Sequence, residues 1–328
     1  MTTFDAIFLG LLQGLTEFIP VSSSGHLAMA KFFLPVHDVD LSYIVLLHFG
    51  TVISIVAALY DDIWRLLLDF IKGKKYALRF AGLIILSMIP AVIIGVLFDG
   101  PLDDLFCNKG ITIGKVPVAP YQLVGLAFLA CASWVLSPAS AILKERNNPQ
   151  EATKDSTKEN NKEKESKESK ESKESKESKE SKENKKEKAK APVLKSLEDM
   201  TWQDALIIGL AQAIAVIPGL SRSGSTIYAG LVRNLKSEAA ARFSFLMSVP
   251  IILGAVCKDF IKPEFRADLQ ASFNSASTSQ IVPQIIGIIT AAVSGYLAIK
   301  FLIKLVNRYD FHPFIVYLWI VGLLCIAS

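Results

Sequence analysis

The 328-residue chain is 51% hydrophobic, has a mean hydropathy of +0.39 and carries a formal net charge of only +4. So small a charge, with no basic–aromatic patch, excludes nucleic acid as the expected partner. Much of the charge lies in residues 144–200. The rest is too apolar for a soluble domain, which would spread charge over its surface helices, and it reads as an all-α, polytopic membrane protein.

The first element, Phe4–Leu34, consists of two apolar stretches too short to span comfortably, on either side of a Pro- and Ser-rich turn. It is expected to be a re-entrant helix–turn–helix, allowed at membrane depth where protein or a wet cavity satisfies its backbone. Three spans follow at Tyr43–Tyr60, Phe80–Phe98 and Tyr121–Ser137, each near the ~20 residues a helix needs to cross the hydrocarbon core. Lys144–Pro192 is low-complexity, with the triplet Ser-Lys-Glu written six times from Ser166 to Glu183. It has almost nothing apolar to bury and is expected to be an inserted, unstructured linker. A second interrupted segment, Trp202–Leu235, precedes three more spans at Ala239–Cys257, Ile281–Ile299 and Phe311–Ala327. Across all six spans the only Lys, Arg, Asp or Glu is Arg242. Cys107, Cys131, Cys257 and Cys325 form no CxxC pair and read as packing residues. With Asp5 and Glu17 in the leading apolar run and no basic residues before it, no cleavable signal peptide is expected.

The two halves resemble each other. Gly10-Leu11-Leu12-Gln13 is echoed by Gly209-Leu210-Ala211-Gln212, Ile19-Pro20 by Ile217-Pro218, and Ser22-Ser23-Ser24-Gly25 by Ser221-Arg222-Ser223-Gly224. The expected organisation is a membrane repeat at 1–143, a charged linker at 144–200 and a second repeat at 201–328. An odd number of spans per repeat inverts the second copy, so the plan is six transmembrane helices plus two re-entrant segments in an inverted repeat. Basic residues gather between spans one and two (Arg65, Lys72, Lys74, Lys75, Arg79) and between spans five and six (Lys300, Lys304, Arg308), whereas Asp99, Asp103 and Asp104 lead the loop after span two. The positive-inside rule then places the linker in the cytoplasm and both termini outside. Asp61 and Asp62, beside span one, read as solvated residues, and His48 within it as either packed or cavity-lining.

Two segments carry polar groups that lipid would not tolerate as filler. Gln13 and Glu17 are four apart and share a helix face, and Glu17 lies beside a turn offering Ser22, Ser23, Ser24 and His26. A carboxylate at this depth is a functional candidate, the alternative being a glutamate satisfied by Ser or Thr for helix packing. In Pro218-Gly219-Leu220-Ser221-Arg222-Ser223-Gly224-Ser225-Thr226 an arginine flanked by hydroxyls and glycines opens an apolar helix. That suits a phosphate, the alternative being an arginine snorkelling to headgroups. No Gly-Lys-Ser/Thr follows, which disfavours nucleotide hydrolysis. Converging broken helices would supply the parts for phosphoryl chemistry on an anionic lipid.

These strings, with Ile89-Pro90-Ala91 and Phe243-Ser244-Phe245-Leu246, closely resemble the signatures of the bacterial undecaprenyl-diphosphate phosphatases of the bacitracin-resistance type. The resemblance implies a hydrolase of the bacterial inner membrane that takes a polyprenyl diphosphate lipid, depends on a divalent cation (Mg2+ or Ca2+), and regenerates the monophosphate carrier for cell-wall synthesis. It also implies an active site open to the periplasm, and it is compatible with a homodimer. Carried over, Glu17 matches an acidic position of the family and a candidate metal ligand, Ser23 a proposed nucleophile, and His26 the motif histidine. Arg222 matches the phosphate-binding arginine, with Ser221, Ser223 and Thr226 around it, while Gln13, Ser22 and Ser24 support the site. Gln13 stands where many members have Glu, which leaves Glu17 the only acid in its motif. Two classes stay open: a hydrolase, favoured by the Glu17–Ser23–His26 cluster, and a transporter or flippase of a polyprenyl phosphate.

Overall fold

The structure is a computed structural model and describes residues 2–33, 41–113, 116–147, 193–261, 266 and 278–328. Helix α1 (Thr3–Phe18) begins at a capping box: the Thr2 hydroxyl accepts from the Asp5 amide at 3.2 Å, and the Asp5 carboxylate accepts from the Thr2 amide at 2.8 Å. It ends at Ile19, held extended (φ −63°, ψ 138°) by the proline that follows. After a break at residues 19–22, α2 (Ser23–Phe33) completes the first interrupted segment. Helix α3 (Leu41–Ala58) turns through 81° into α4 (Tyr60–Ile71). Then come α5 (Lys75–Asp103), a π-helical turn, and a small antiparallel hairpin of β1 (Ile111–Ile113) and β2 (Val116–Val118). Helices α6 (Pro120–Ala130) and α7 (Ser137–Asn147) are joined by a second π-helical turn. The second half repeats the pattern: α8 (Trp202–Ile214), a break at 215–221, α9 (Arg222–Val232), α10 (Ser237–Ile261), α11 (Thr278–Val306) and α12 (His312–Ala327). Helix α8 starts at the same capping box, Thr201 with Asp204, 199 residues after Thr2 and Asp5.

Each apolar stretch read from the sequence is helical. Among the described residues, Lys75–Phe98, Pro120–Asn147, Ser237–Ile261 and Ile281–Val306 are long and apolar enough to cross a membrane; the bent α3–α4 pair would make a fifth. Helix α12 is apolar but has 16 residues. The outward faces of α5 (Ile85, Ile89, Val92) and α11 (Ile285, Ile289, Val293) are exposed, apolar rows that only lipid or a partner would cover. The chain is an all-α polytopic membrane protein; among the described residues it has one hairpin, which falls in what the sequence presents as a loop.

Two further sequence expectations meet the structure differently. The stretch after span one is not a loop but α4, an amphipathic helix exposing Trp64, Leu67 and Phe70, with Tyr60 stacked on Trp64 at 6.3 Å. Asp62 is not merely solvated: it pairs with Arg242 of α10, which also holds Glu238 at 2.7 Å. Most of the charged linker, residues 148–192, lies outside the described residues.

The packing exchanges elements between halves. Helix α1 lies along α11, with Gly10 and Gly14 against Gly287, Ala291 and Ser294; a Cβ on Gly10 would sit 2.5 Å from the Gly287 carbonyl. Reciprocally, α8 lies along α5, with Gly209 against the Ser87 backbone, and α6 meets α12 at Gly125 and Gly322. Small residues let backbones approach this closely, which is how helices associate without a hydrophobic drive between them. Basic residues at one end of the bundle close helix ends and turns. Lys300 donates to the Ala58 carbonyl (2.9 Å), and Arg146 donates to those of Leu231 (2.8 Å) and Leu235 (2.6 Å).

Candidate active site

The two helix breaks meet. Glu17, in the last turn of α1, is 6% exposed and ion-paired with Arg222, the first residue of α9. Its Oε2 accepts the Ser23 hydroxyl at 2.5 Å and the Gln13 amide at 3.0 Å, Gln13 being one helical turn back on the same face. The reach of Ser23 depends on its neighbour: Ser22 has φ +70°, uncommon for a residue with a Cβ, and reverses the chain so that α2 starts beside Glu17. Gly219 plays the matching part in the second break, with φ +99° and room for no Cβ, since one would lie 2.6 Å from the Ala127 side chain. Ser221 then caps α9, accepting from the Gly224 amide at 3.1 Å.

Over this cluster lies a cavity of about 400 Å³, lined by Thr16, Glu17, Ser22, Ser23, Ser24, Ser221 and Arg222 from the breaks. Ile44, Val45 and His48 of α3 and Ile251, Val256 and Asp259 of α10 line it as well. His48 serves both of its sequence readings, lining the cavity while its Nδ1 bonds the Ile44 carbonyl at 2.8 Å. A second, mainly apolar cavity of about 460 Å³ between α5, α8 and α10 shares Ala215, Val216, Arg222, Ile251 and Ala255 with the first.

Not every candidate reaches this point. Ser223 and Thr226 are buried behind Arg222: the Ser223 hydroxyl is 3.1 Å from that of Ser221, and the Thr226 hydroxyl donates to the Arg222 carbonyl (2.9 Å) and lies 2.6 Å from Ser244 Oγ. His26 is also turned away from Glu17. Its Nδ1 is 2.7 Å from the Ser22 carbonyl and its Nε2 is 2.7 Å from the hydroxyl of Tyr317 on α12, whose ring lies nearly parallel beside the imidazole. An imidazole bonded at both nitrogens outside the cavity does not converge with the carboxylate. Tyr317 has no signal in the sequence, because a tyrosine in an apolar span 291 residues away looks like any other. Gln13 and its counterpart Gln212 differ sharply: Glu17 satisfies Gln13 Nε2, whereas Val216 stands four residues after Gln212, and neither amide atom of Gln212 has a partner.

What the arrangement can do chemically follows from the parts. Ser23 and Arg222, the first residues of α2 and α9, both line the cavity, so the positive ends of two helices face it. A guanidinium suited to two phosphate oxygens and a carboxylate already holding a hydroxyl lie side by side.

Comparison with known proteins finds similarity along nearly the whole chain. The family described as bacitracin resistance protein BacA matches residues 6–165 and 176–324, the gap falling inside the Ser-Lys-Glu run. An undecaprenyl-diphosphatase of Halothermothrix orenii is 35% identical over 326 residues, 99% of this chain and 98% of that protein. Undecaprenyl-diphosphatases of Geotalea daltonii (33% over 333 residues) and Christiangramia forsetii (32% over 330 residues) each have 98% of their length covered. The chain belongs to the bacitracin resistance protein BacA family.

Proposed function

We propose that this protein hydrolyses undecaprenyl diphosphate to undecaprenyl phosphate and inorganic phosphate, recycling the cell-wall lipid carrier and conferring bacitracin resistance. The relatives carry the name of that activity. The observation in this chain that carries the reading is Glu17 shared between the Ser23 hydroxyl and the Arg222 guanidinium at the meeting of two helix N-termini. A diphosphate entering the cavity competes with Glu17 for Arg222. Once Arg222 turns to phosphate oxygens, the freed carboxylate is placed to take a proton from Ser23, or from a water in its place, as that oxygen attacks the terminal phosphorus and the bond to the bridging oxygen breaks, undecaprenyl phosphate leaving. If Ser23 attacks, water then cleaves the phosphoserine and releases inorganic phosphate. Arg222 and the helix ends balance the charge that builds on the phosphoryl oxygens.

A divalent cation fits the donor set. Among the described residues no three His, Cys, Asp or Glu side chains cluster, but hard cations need only a carboxylate or two plus neutral oxygens and substrate phosphate. Glu17, with the Ser23 and Ser24 hydroxyls that line the cavity beside it, would hold Mg2+ or Ca2+, which would supply further charge neutralisation.

In the membrane, the reading is six spans, with α12 as the sixth, and two re-entrant segments, α1–α2 and α8–α9, in an inverted repeat divided by the linker. The reciprocal packing of α1 on α11 and α8 on α5 supports it, as do the twin capping boxes. The cavity is lined by the start of α3 and the end of α10, the ends away from the basic loops, which supports an active site facing the periplasm. The same exchange of broken helices also favours a second reading, carriage of a polyprenyl phosphate. Phosphate release from undecaprenyl diphosphate by purified protein, with and without chelator, separates the two: release that chelator abolishes supports the metal-assisted hydrolase, and lipid binding with no release supports the carrier.

A further inference from the structure

We infer that His26 and Tyr317 form a two-part lock that positions the Ser22–Ser23 turn, so that His26 acts as a positioning residue and not as the base of the reaction; this rests on the hydrolase reading. The Ser22 carbonyl can only accept, so the His26 nitrogen 2.7 Å from it, Nδ1, carries the proton. In the neutral ring Nε2 then accepts, and the Tyr317 hydroxyl at 2.7 Å donates to it. The ring is held on two sides: Tyr317 lies beside it edge to edge, nearly parallel (8° between planes, centroids 5.6 Å apart) with its hydroxyl on Nε2, and Phe128 packs against it at 5.0 Å. Ser22 is the residue in need of such a hold. Its left-handed backbone (φ +70°) aims its carbonyl at both the His26 ring and the His26 amide (3.2 Å), and the next residue presents the hydroxyl that bonds Glu17. A hydrogen bond that fixes the tautomer of a histidine fixes what its other nitrogen can do. Here the chain of dependence runs from Tyr317 through His26 and the Ser22 carbonyl to the Ser23 hydroxyl, and it ties α12, in the second half, to the active turn of the first.

The test compares side chains that keep one nitrogen and lose the other. The amide of Asn superposes on the Nδ1 end of His, so His26→Asn keeps the bond to Ser22, whereas His26→Leu loses both. For a positioning role, His26→Asn retains turnover within about ten-fold, while His26→Leu falls by on the order of 100-fold. Tyr317→Phe keeps the ring and loses only the donor; it lowers kcat about ten-fold with KM unchanged, and adds almost nothing in the His26→Asn background, where its target is gone. Nitrogen NMR of substrate-free protein provides a readout that mere structural damage does not move: a protonated Nδ1 and a bare, hydrogen-bonded Nε2, the latter shifted in Tyr317→Phe. Equal loss in His26→Asn and His26→Leu, parental kcat in Tyr317→Phe, or a protonated Nε2 would overturn the lock. A parent that binds lipid diphosphate but releases no phosphate sinks the hydrolase reading instead and leaves the NMR arm to decide the tautomer.

Discussion

At the scale of single residues, Glu17 and Arg222 hold each other, and each is expected to fail differently. Glu17→Gln keeps the shape and removes the charge, so phosphate release falls by at least ~100-fold while the lipid diphosphate still binds; single-turnover release beside equilibrium binding measures both. A parental rate in Glu17→Gln would remove its assigned role. Arg222→Ala loses binding and turnover together, and leaves Glu17 buried without its cation, a destabilisation of about 3–5 kcal/mol visible as a lowered Tm. Ser23→Ala sorts the attacking oxygen: near-total loss points to the serine, modest loss to water. Ser22 is a backbone position first. Ser22→Gly should fold normally, whereas Ser22→Ile, β-branched at φ +70°, should lower Tm by several degrees.

At the scale of elements, the close helix pairs and the broken helices make separate predictions. Gly209 lies against the backbone of Ser87, so Gly209→Leu should push α8 off α5 and cut the yield of folded protein in detergent, while Gly95→Leu, with open space around it, should not. Gln212 is 1% exposed with its amide unpaired, so Gln212→Leu is expected to raise Tm, reflecting about 1–3 kcal/mol of relieved desolvation; an unchanged or lowered Tm would mean that the amide is satisfied after all. The helices themselves are legible in the sequence, because apolar length and proline position act locally: Ile19 leaves the helix because Pro20 follows it. Helix α4 is harder to read, because its apolar face is interleaved with Asp61, Asp62, Arg65 and Asp69, and charge count alone marks it as a loop.

At the scale of the whole molecule, the proposed inverted repeat and the positive-inside rule together give an expectation of which surface faces which side of the membrane. A membrane-impermeant label on a cysteine at Lys74 should react only from the cytoplasm, and one at Asn108 only from outside; the reverse pattern would overturn the threading. Twin features 199 residues apart (Thr2 and Thr201, Gln13 and Gln212, Ser22 and Ser221) let each half supply one break to a shared site. The copies differ in chemistry, one carrying the acid Glu17 and the other Arg222, so on the proposed reading both halves are needed to hold and attack a phosphate.

What the sequence by itself determined was much of what depends on neighbours along the chain: the apolar stretches, the interrupted segments, the echo between the halves, and the polar make-up of the Gln13-x-x-x-Glu17 and Ser221-Arg222-Ser223 segments. Only the tertiary structure decided which of these side chains share a space. His26 stands three residues from Ser23 yet turns to Tyr317 on the last helix, and the Thr226 hydroxyl is engaged by the Arg222 carbonyl and the Ser244 hydroxyl. Arg222, 205 residues from Glu17, becomes its ion-pair partner. The physical reason is that helical spacing sets which face a residue occupies, but where that face points is set by close packing between helices far apart in the chain, here by the glycine contacts that seat α1 on α11 and α8 on α5.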